Sequence, residues 1–179
     1  LAQHASYIAF KHLTIHPTGT DYGRGIAFGE NADHITITNC SFKGIYSTQN
    51  HSQFASVFGT ETRADYLYFY NNRFDSVAMG IYLNGRNTDR ITEVEVINNK
   101  FLNIGYQTML FSRAYHGTIK DNEIQGGYIG IRYGTSYERA RILNNRIICK
   151  RTGIMYYSAG YLSEAGLIAN NYIFITDQG

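Results

Sequence analysis

The nine residues Glu93-Val94-Glu95-Val96-Ile97-Asn98-Asn99-Lys100-Phe101 decide the fold. They read as a short alternating strand, a pair of asparagines, and two residues ending in a large apolar side chain. The phrase recurs along the chain. Copies are Ile35-Thr36-Ile37-Thr38-Asn39-Cys40-Ser41-Phe42, Tyr68-Phe69-Tyr70-Asn71-Asn72-Arg73-Phe74, Ile119-Lys120-Asp121-Asn122-Glu123-Ile124, Ile142-Leu143-Asn144-Asn145-Arg146-Ile147 and Ile168-Ala169-Asn170-Asn171-Tyr172-Ile173. A weaker first copy is Ile8-Ala9-Phe10-Lys11-His12-Leu13-Thr14-Ile15. The seven turn positions are 12, 39, 71, 98, 121, 144 and 170, spaced by 27, 32, 27, 23, 23 and 26 residues. A period in this range, made of strands and without a helical pattern, marks a solenoid.

Each repeat carries one more strand, opening on Gly or a small residue: Gly25-Ile26-Ala27-Phe28-Gly29, Gly80-Ile81-Tyr82-Leu83-Asn84, Thr108-Met109-Leu110-Phe111-Ser112, Gly130-Ile131-Arg132-Tyr133-Gly134 and Gly153-Ile154-Met155-Tyr156-Tyr157, with an ambiguous Phe54-Ala55-Ser56-Val57-Phe58 between the first two. Three strands per coil predict an all-β solenoid of about seven coils whose parallel sheets share one core. Alternation points Ile35, Ile37 and Phe42 inward, and with them Cys40. The column of Cys40 continues as Leu13, Asn72, Asn99, Asn122, Asn145 and Asn171. Apolar residues and stacked amides both suit an inward column, so an asparagine ladder is expected. The preceding column, His12, Asn39, Asn71, Asn98, Asp121, Asn144 and Asn170, suits a turn that needs positive φ.

Bulk properties exclude several classes. A net charge of +2 argues for neither nucleic acid nor an anionic membrane. No run of apolar residues is long enough for a membrane span. The 16 Tyr, 10 Phe and 18 Gly against one Pro fit short strands joined by tight turns. Cys40 and Cys149 lie four coils apart, about 19 Å at the spacing of parallel neighbours. That exceeds the ~7 Å reach of a disulfide, so two free thiols are expected. The opening Leu1-Ala2-Gln3 and the close at Thr176-Asp177-Gln178-Gly179 show no cap. Residues 1–179 are therefore expected to be a single β-helix segment, internal to a longer protein and lacking both caps, with further coils of the same parent chain as neighbours.

The Asn-Asn-x-Phe/Ile turn and the Gly-Ile-x-Phe/Tyr strand resemble the right-handed parallel β-helix of the pectin-lyase-like superfamily, from about Tyr7 to Ile175. The Tyr- and Asn-rich coils also resemble those of large secreted bacterial surface proteins. The resemblance implies a right-handed β-helix, an extracellular or cell-surface setting, and a working surface on the outer face of the Gly-initiated strand. It does not choose between enzyme and adhesin.

Parity maps that face to Ala27, Gly29, Tyr82, Asn84, Leu110, Ser112, Arg132, Gly134, Met155 and Tyr157. Longer loops at 43–53, 59–65, 85–92 and 158–165 border it. Tyr82 and Tyr157, with Tyr137 and Tyr161, offer flat faces. Asn84, Asn87 and Arg132 offer forked polar groups, the combination that holds a glycan. Catalysis has thinner support. A glycosidase needs two carboxyl groups, and no mapped position carries one. Glu30 and Glu61 could pair across neighbouring coils, or be solvated turn residues. A lyase needs a cation for the substrate carboxylate and a base. Arg132, with Arg86 and Arg113 aligned behind it, could supply the first, and Tyr82, Tyr157 or His51 the second; alternatively, Arg132 pairs with Glu138. The six histidines show no zinc-ligand spacing. No cofactor is expected. Calcium stays compatible with the scattered Asp and Asn, although no Asp-rich loop occurs. The expected function is a stalk or adhesin segment that contacts glycans. The alternative is a fragment of a polysaccharide-degrading enzyme, lyase before hydrolase.

Overall fold

The computed structural model describes residues 5–19, 21–86, 91–136, 139–158 and 166–177. The chain winds coil by coil. The first coil holds β1 (Ala9–Lys11), β2 (Thr14–Ile15) and β3 (Ile26–Phe28), and the second β4 (Ile35–Thr38), β5 (Ser41–Lys43) and β6 (Ala55–Thr62). Next come β7 (Ala64–Tyr70), β8 (Arg73–Asp75) and β9 (Met79–Gly85), then β10 (Ile91–Ile97), β11 (Lys100–Ile104) and β12 (Gln107–Ser112). The fifth coil is β13 (Thr118–Lys120), β14 (Glu123–Gly126) and β15 (Ile129–Ser136), and the sixth β16 (Arg141–Leu143), β17 (Arg146–Cys149) and β18 (Thr152–Ser158). A seventh contributes β19 (Leu167–Ala169) and β20 (Tyr172–Ile175).

Equivalent strands pair in parallel, coil on coil. The lead-in sheet runs from β1 to β19 and the lead-out sheet from β2 to β20, each seven strands; the face sheet runs from β3 to β18 in six. The result is a right-handed parallel β-helix of six complete three-strand turns and a two-strand seventh. The ambiguous 54–58 stretch is the start of β6. The 59–65 stretch, expected as a loop, is a correction: β6 continues through Thr62 and β7 opens at Ala64, so strand fills nearly all of it. Thr62 and Ala64 are fully buried there, which a solvated loop does not allow.

Both turn columns behave as their chemistry requires. All seven residues of the outer column sit in the left-handed region, from His12 (φ 55) to Asn170 (φ 56). The inner column forms a directional ladder. Asn99 Oδ1 accepts from the Asn72 backbone N–H (2.8 Å) and from Asn72 Nδ2 (3.0 Å). Asn99 Nδ2 donates to Phe69 O (2.9 Å) and to Asn122 Oδ1 (3.1 Å). The same pattern continues through Asn145 to Asn171. Cys40 ends the ladder at the other side. Its N–H donates to Asn72 Oδ1 (2.9 Å), and its thiol lies against the carbonyls of Phe10 and Thr38. A thiol is a weak donor, so Cys40 stands in for an amide. Leu13, one coil further out, is largely exposed. Cys40 and Cys149 are free, buried thiols, and burial pushes the Cys149 thiol up.

The lead-out sheet stacks large side chains on one another: Phe42, Phe74 and Phe101 lie nearly parallel with centroids 4.6 and 4.5 Å apart. Register continues that column through Ile124, Ile147 and Ile173. Each fully buried member contributes roughly 1.5–3 kcal/mol. This column explains why face strands open on glycine. A Cβ on Gly80 would stand 2.8 Å from the Phe101 ring and one on Gly130 2.7 Å from Ile147. A second left-handed column, which no motif in the sequence revealed, marks the start of the lead-in sheet: Tyr7, His34, Tyr66, Glu93, His116 and Arg139, with φ from 41 to 61. There the His34 ring lies between those of Tyr7 and Tyr66, 4.4 and 4.5 Å away.

Candidate functional site

The face sheet turns alternate residues outward in two register columns. One is Ala27, Phe58, Tyr82, Leu110, Arg132 and Met155; the other includes Thr60, Asn84, Ser112 and Gly134. Over the first coils this face is covered. The Arg24 guanidinium lies 3.5 Å over the Phe58 ring, and Phe58 stacks on Tyr82 at 5.6 Å. Phe54 and Tyr106 close a small apolar cluster with Ala55, Phe58, Ala78 and Met79. The chain that covers it is the strap at 44–54, which joins the lead-out strand β5 to β6. The strap crosses a corner of the solenoid at Gly105, where any Cβ would stand 2.1 Å from Ser47 O. Over later coils the face is open.

In the open part lies a surface cavity of about 230 Å³ lined by Tyr82, Asn84, Gln107, Leu110, Phe111, Ser112, Arg132, Gly134 and Tyr157, with Asn50 from the strap. The four residues expected to contact a glycan, Tyr82, Asn84, Arg132 and Tyr157, therefore share one cavity. Its geometry is supported from behind. The Arg132 guanidinium sits 5.5 Å from the Tyr157 ring centroid, within reach of a cation–π contact. Gly134 lets that ring lie on the sheet, since a Cβ there would be 2.7 Å from Tyr157 Cδ2. The Tyr157 hydroxyl donates to Met155 Sδ (2.9 Å). Asn84 Oδ1 accepts from Arg113 Nη1 (3.0 Å), which also reaches Gly85 O (3.2 Å). Gln107, fully buried, donates from Nε2 to Met109 O (2.9 Å).

The other expected site residues are dispersed. Arg86 pairs with the Glu30 carboxylate and donates from Nε to Glu61 O (2.8 Å). It thus contacts both glutamates proposed as a carboxyl pair, Glu61 through its backbone carbonyl, and does not line the cavity that holds Arg132. Arg113 holds the cavity wall without lining the cavity. His51 binds Gln49 Oε1 through Nε2 (2.6 Å), edge-on to Phe54, inside the strap. Asn87, Tyr137, Glu138 and Tyr161 lie outside the described residues. Among the described residues no carboxylate lines the cavity.

Sequence reasoning missed the strap's part, Asn50, and the inward-turned Gln107. It also missed a second cavity of about 500 Å³ at the corner before the face sheet, lined by Thr48, Tyr106, Tyr128, Ile129, Arg151, Thr152 and Met155. A signal for it exists: Tyr106 and Tyr128 each follow a glycine at equivalent positions of successive coils.

No helix among the described residues is long and apolar enough to cross a membrane. No curated protein and no solved structure matches the chain. Residues 10–178 match the family model of NosD, described as periplasmic copper-binding protein. That match covers nearly the whole solenoid, and the chain belongs to the NosD family.

Proposed function

We propose that this chain is a β-helical stalk or adhesin-like segment, periplasmic or extracellular, that holds a glycan against the open part of its face sheet. The observation that carries the reading is the convergence of Tyr82, Tyr157, Asn84 and Arg132 on one cavity. Ligand sites combine apolar and aromatic walls with a few placed polar groups. Aromatic faces suit the C–H side of a sugar ring, and the Asn and Arg groups suit its hydroxyls. Absence of a lining carboxylate among the described residues favours binding over glycoside hydrolysis, which needs two carboxyl groups. The lyase reading keeps only Arg132 of its three arginines at the cavity.

The family description names copper, and among the described residues the side chains do not fit a resident copper ion. Copper sites take imidazole, thiolate and thioether ligands. His116 Nδ1 is engaged with Glu93 Oε1 at 2.8 Å, His51 with Gln49, and His34 lies between two tyrosine rings. The two thiols are buried in separate parts of the core. Among the described residues no group of three or more His, Cys, Asp and Glu could hold a metal, so a calcium site finds no cluster there either.

Calorimetric titration with neutral and acidic oligosaccharides tests the proposal. Binding to the intact chain, weakened about tenfold by Arg132→Ala and by Tyr157→Ala, is the expected result. A panel in which nothing binds, or in which both variants bind like the parent, overturns it. Product formation from any of these sugars would move the assignment to the enzyme reading.

A further inference from the structure

We infer that the outer face of the lead-in sheet is a separate recognition surface, where Tyr66, Tyr68, Tyr70, Glu93 and Glu95 dock an arginine-bearing surface of a partner protein. It lies on a different sheet from the glycan cavity, and the inference does not depend on that reading.

Register builds the patch. Tyr68 pairs with Glu95, and Tyr70 with Ile97, across β7 and β10. Leu67, Phe69, Val94 and Val96 fill the core, so alternation turns Tyr68, Tyr70 and Glu95 outward. The Tyr68 and Tyr70 rings lie 5.8 Å apart and nearly parallel, and the Tyr70 hydroxyl donates to the Glu95 carboxylate. Beside them runs the second left-handed column, which sets Tyr66 and Glu93 at equivalent positions of successive coils. Tyr66 is exposed, and the His34 ring packs against it from the coil before. Three tyrosines and two carboxylates therefore meet on two adjacent strands, outside anything the glycan reading uses.

The chemistry of the patch selects its occupant. Among the described residues neither carboxylate pairs with a lysine or arginine: Glu93 meets His116 Nδ1 at 2.8 Å, and Glu95 meets a phenol. Their charge reaches the rings. Burial, then Glu95, Glu93 and Tyr66, holds the Tyr68 phenol above its ordinary value of 10.0, and burial with Glu95 does the same for Tyr70. Both rings stay neutral, and their faces attract a cation. A guanidinium stacks on a tyrosine and forks onto a carboxylate at once, which a lysine ammonium does not. The groups stand on an open sheet face, whereas small-molecule sites are concave. Tyrosine facing arginine is the pairing that protein interfaces favour. The register column of Glu95 runs on through Thr118 to Arg141, two coils or about 10 Å away. A partner that sets arginine over Glu95 thus meets a cation further along, which fixes its orientation on the solenoid.

The test titrates the intact chain with three synthetic peptides that differ only at two positions, filled by arginine, lysine or glutamine. The arginine peptide is expected to bind about tenfold tighter than the glutamine peptide, with lysine in between and affinity falling as salt rises. Glu95→Gln and Tyr68→Ala are each expected to lose about fivefold for the arginine peptide. Glu95→Gln keeps the shape of the side chain, so its loss reads charge and not folding. Tyr70→Phe keeps the ring and removes the hydroxyl that orients Glu95, and is expected to fall between parent and Glu95→Gln. No binding of the arginine peptide, equal affinity for arginine and glutamine peptides, or a preference that survives Glu95→Gln overturns the inference. Free argininamide binding as tightly as the peptide would give the patch to a small cation. Self-association of the chain that is lost in Glu95→Gln would give it to a second copy. Either result overturns the partner assigned here.

Discussion

Asn98 and Asn99 are neighbours of the same residue type, and the fold uses them for opposite reasons. Asn99 is buried and makes hydrogen bonds to the coil before it and the coil after it. Asn98 is exposed, and what it supplies is a left-handed backbone (φ 57), with an amide contact to Asn71 at 2.6 Å. One column is selected by partners, the other by conformation. The inner column repeats because each amide must serve the coil before it. The outer column accepts His12 and Asp121 because only φ matters there. The difference teaches how to read the rest of the molecule: repetition marks the scaffold, and departures from repetition mark the surface that can recognise something.

The sharpest way to break this comparison is to remove one rung. Asn99→Ala deletes the acceptor for two Asn72 donors and leaves buried polar groups unpaired, so a loss of about 3 kcal/mol in denaturant unfolding is expected. Gly105→Ala comes next. Its Cβ meets the Ser47 carbonyl at 2.1 Å, so the strap must shift. About 2 kcal/mol is expected from overpacking, together with weaker glycan binding, because Asn50 and Thr48 move with the strap. Asn98→Ala should cost about 1 kcal/mol, the penalty of a left-handed backbone without Asn or Gly, while Asn98→Gly should be nearly neutral. Equal losses at Asn98 and Asn99 would contradict the division of roles.

Titration sharpens the same contrast, because the inner ladder is built of amides, which do not ionise in the accessible pH range. On the outer side of the lead-out sheet, the Asn103 amide beside Asp75, together with Arg73 and Ser76, holds the Asp75 carboxyl below its ordinary value of 3.8 against an opposing effect of burial. A depressed carboxylate stabilises the fold above its unfolded value and loses that contribution as pH falls through the folded one. Asp75→Asn should therefore lower stability at neutral pH and flatten part of the acid limb of a stability–pH curve, the variant and the parent converging as pH falls through the folded value. The smallest effect is expected from Cys40→Asn. It replaces a thiol by an amide at the end of the ladder, and unfolding should shift by less than about 1 kcal/mol, toward stability.

Period, parity and turn chemistry made the scaffold legible. The Asn-Asn-x-Phe phrase located the turn between lead-in and lead-out strands in each coil, its two columns and the inward stack, because those positions are dictated by the coil below. The outer face was legible only by parity, which brought Tyr82, Asn84, Arg132 and Tyr157 to one side. Their meeting in one cavity depended on Gly134 seating the Tyr157 ring and on Arg113 holding Asn84. The ion pair of Arg86 with Glu30 was not legible, because the two lie 56 residues apart in sequence. The strap was visible only as a long loop. Nothing in its composition says that it lies across the sheet, since its path is set by contacts such as Ser47 on Gly105 and Phe54 near Tyr82.

The central claim is that recognition belongs to the open face while the ladder only carries it. The most direct measurement is an amide-resolved NMR titration of the intact chain with an acidic oligosaccharide. The account predicts shifts at Tyr82, Asn84, Ser112, Arg132 and Tyr157 and none at Asn72, Asn99 or Asn122. Shifts gathered instead on the exposed turn column of Asn98, Asp121 and Asn144, or no shifts at all, would contradict it.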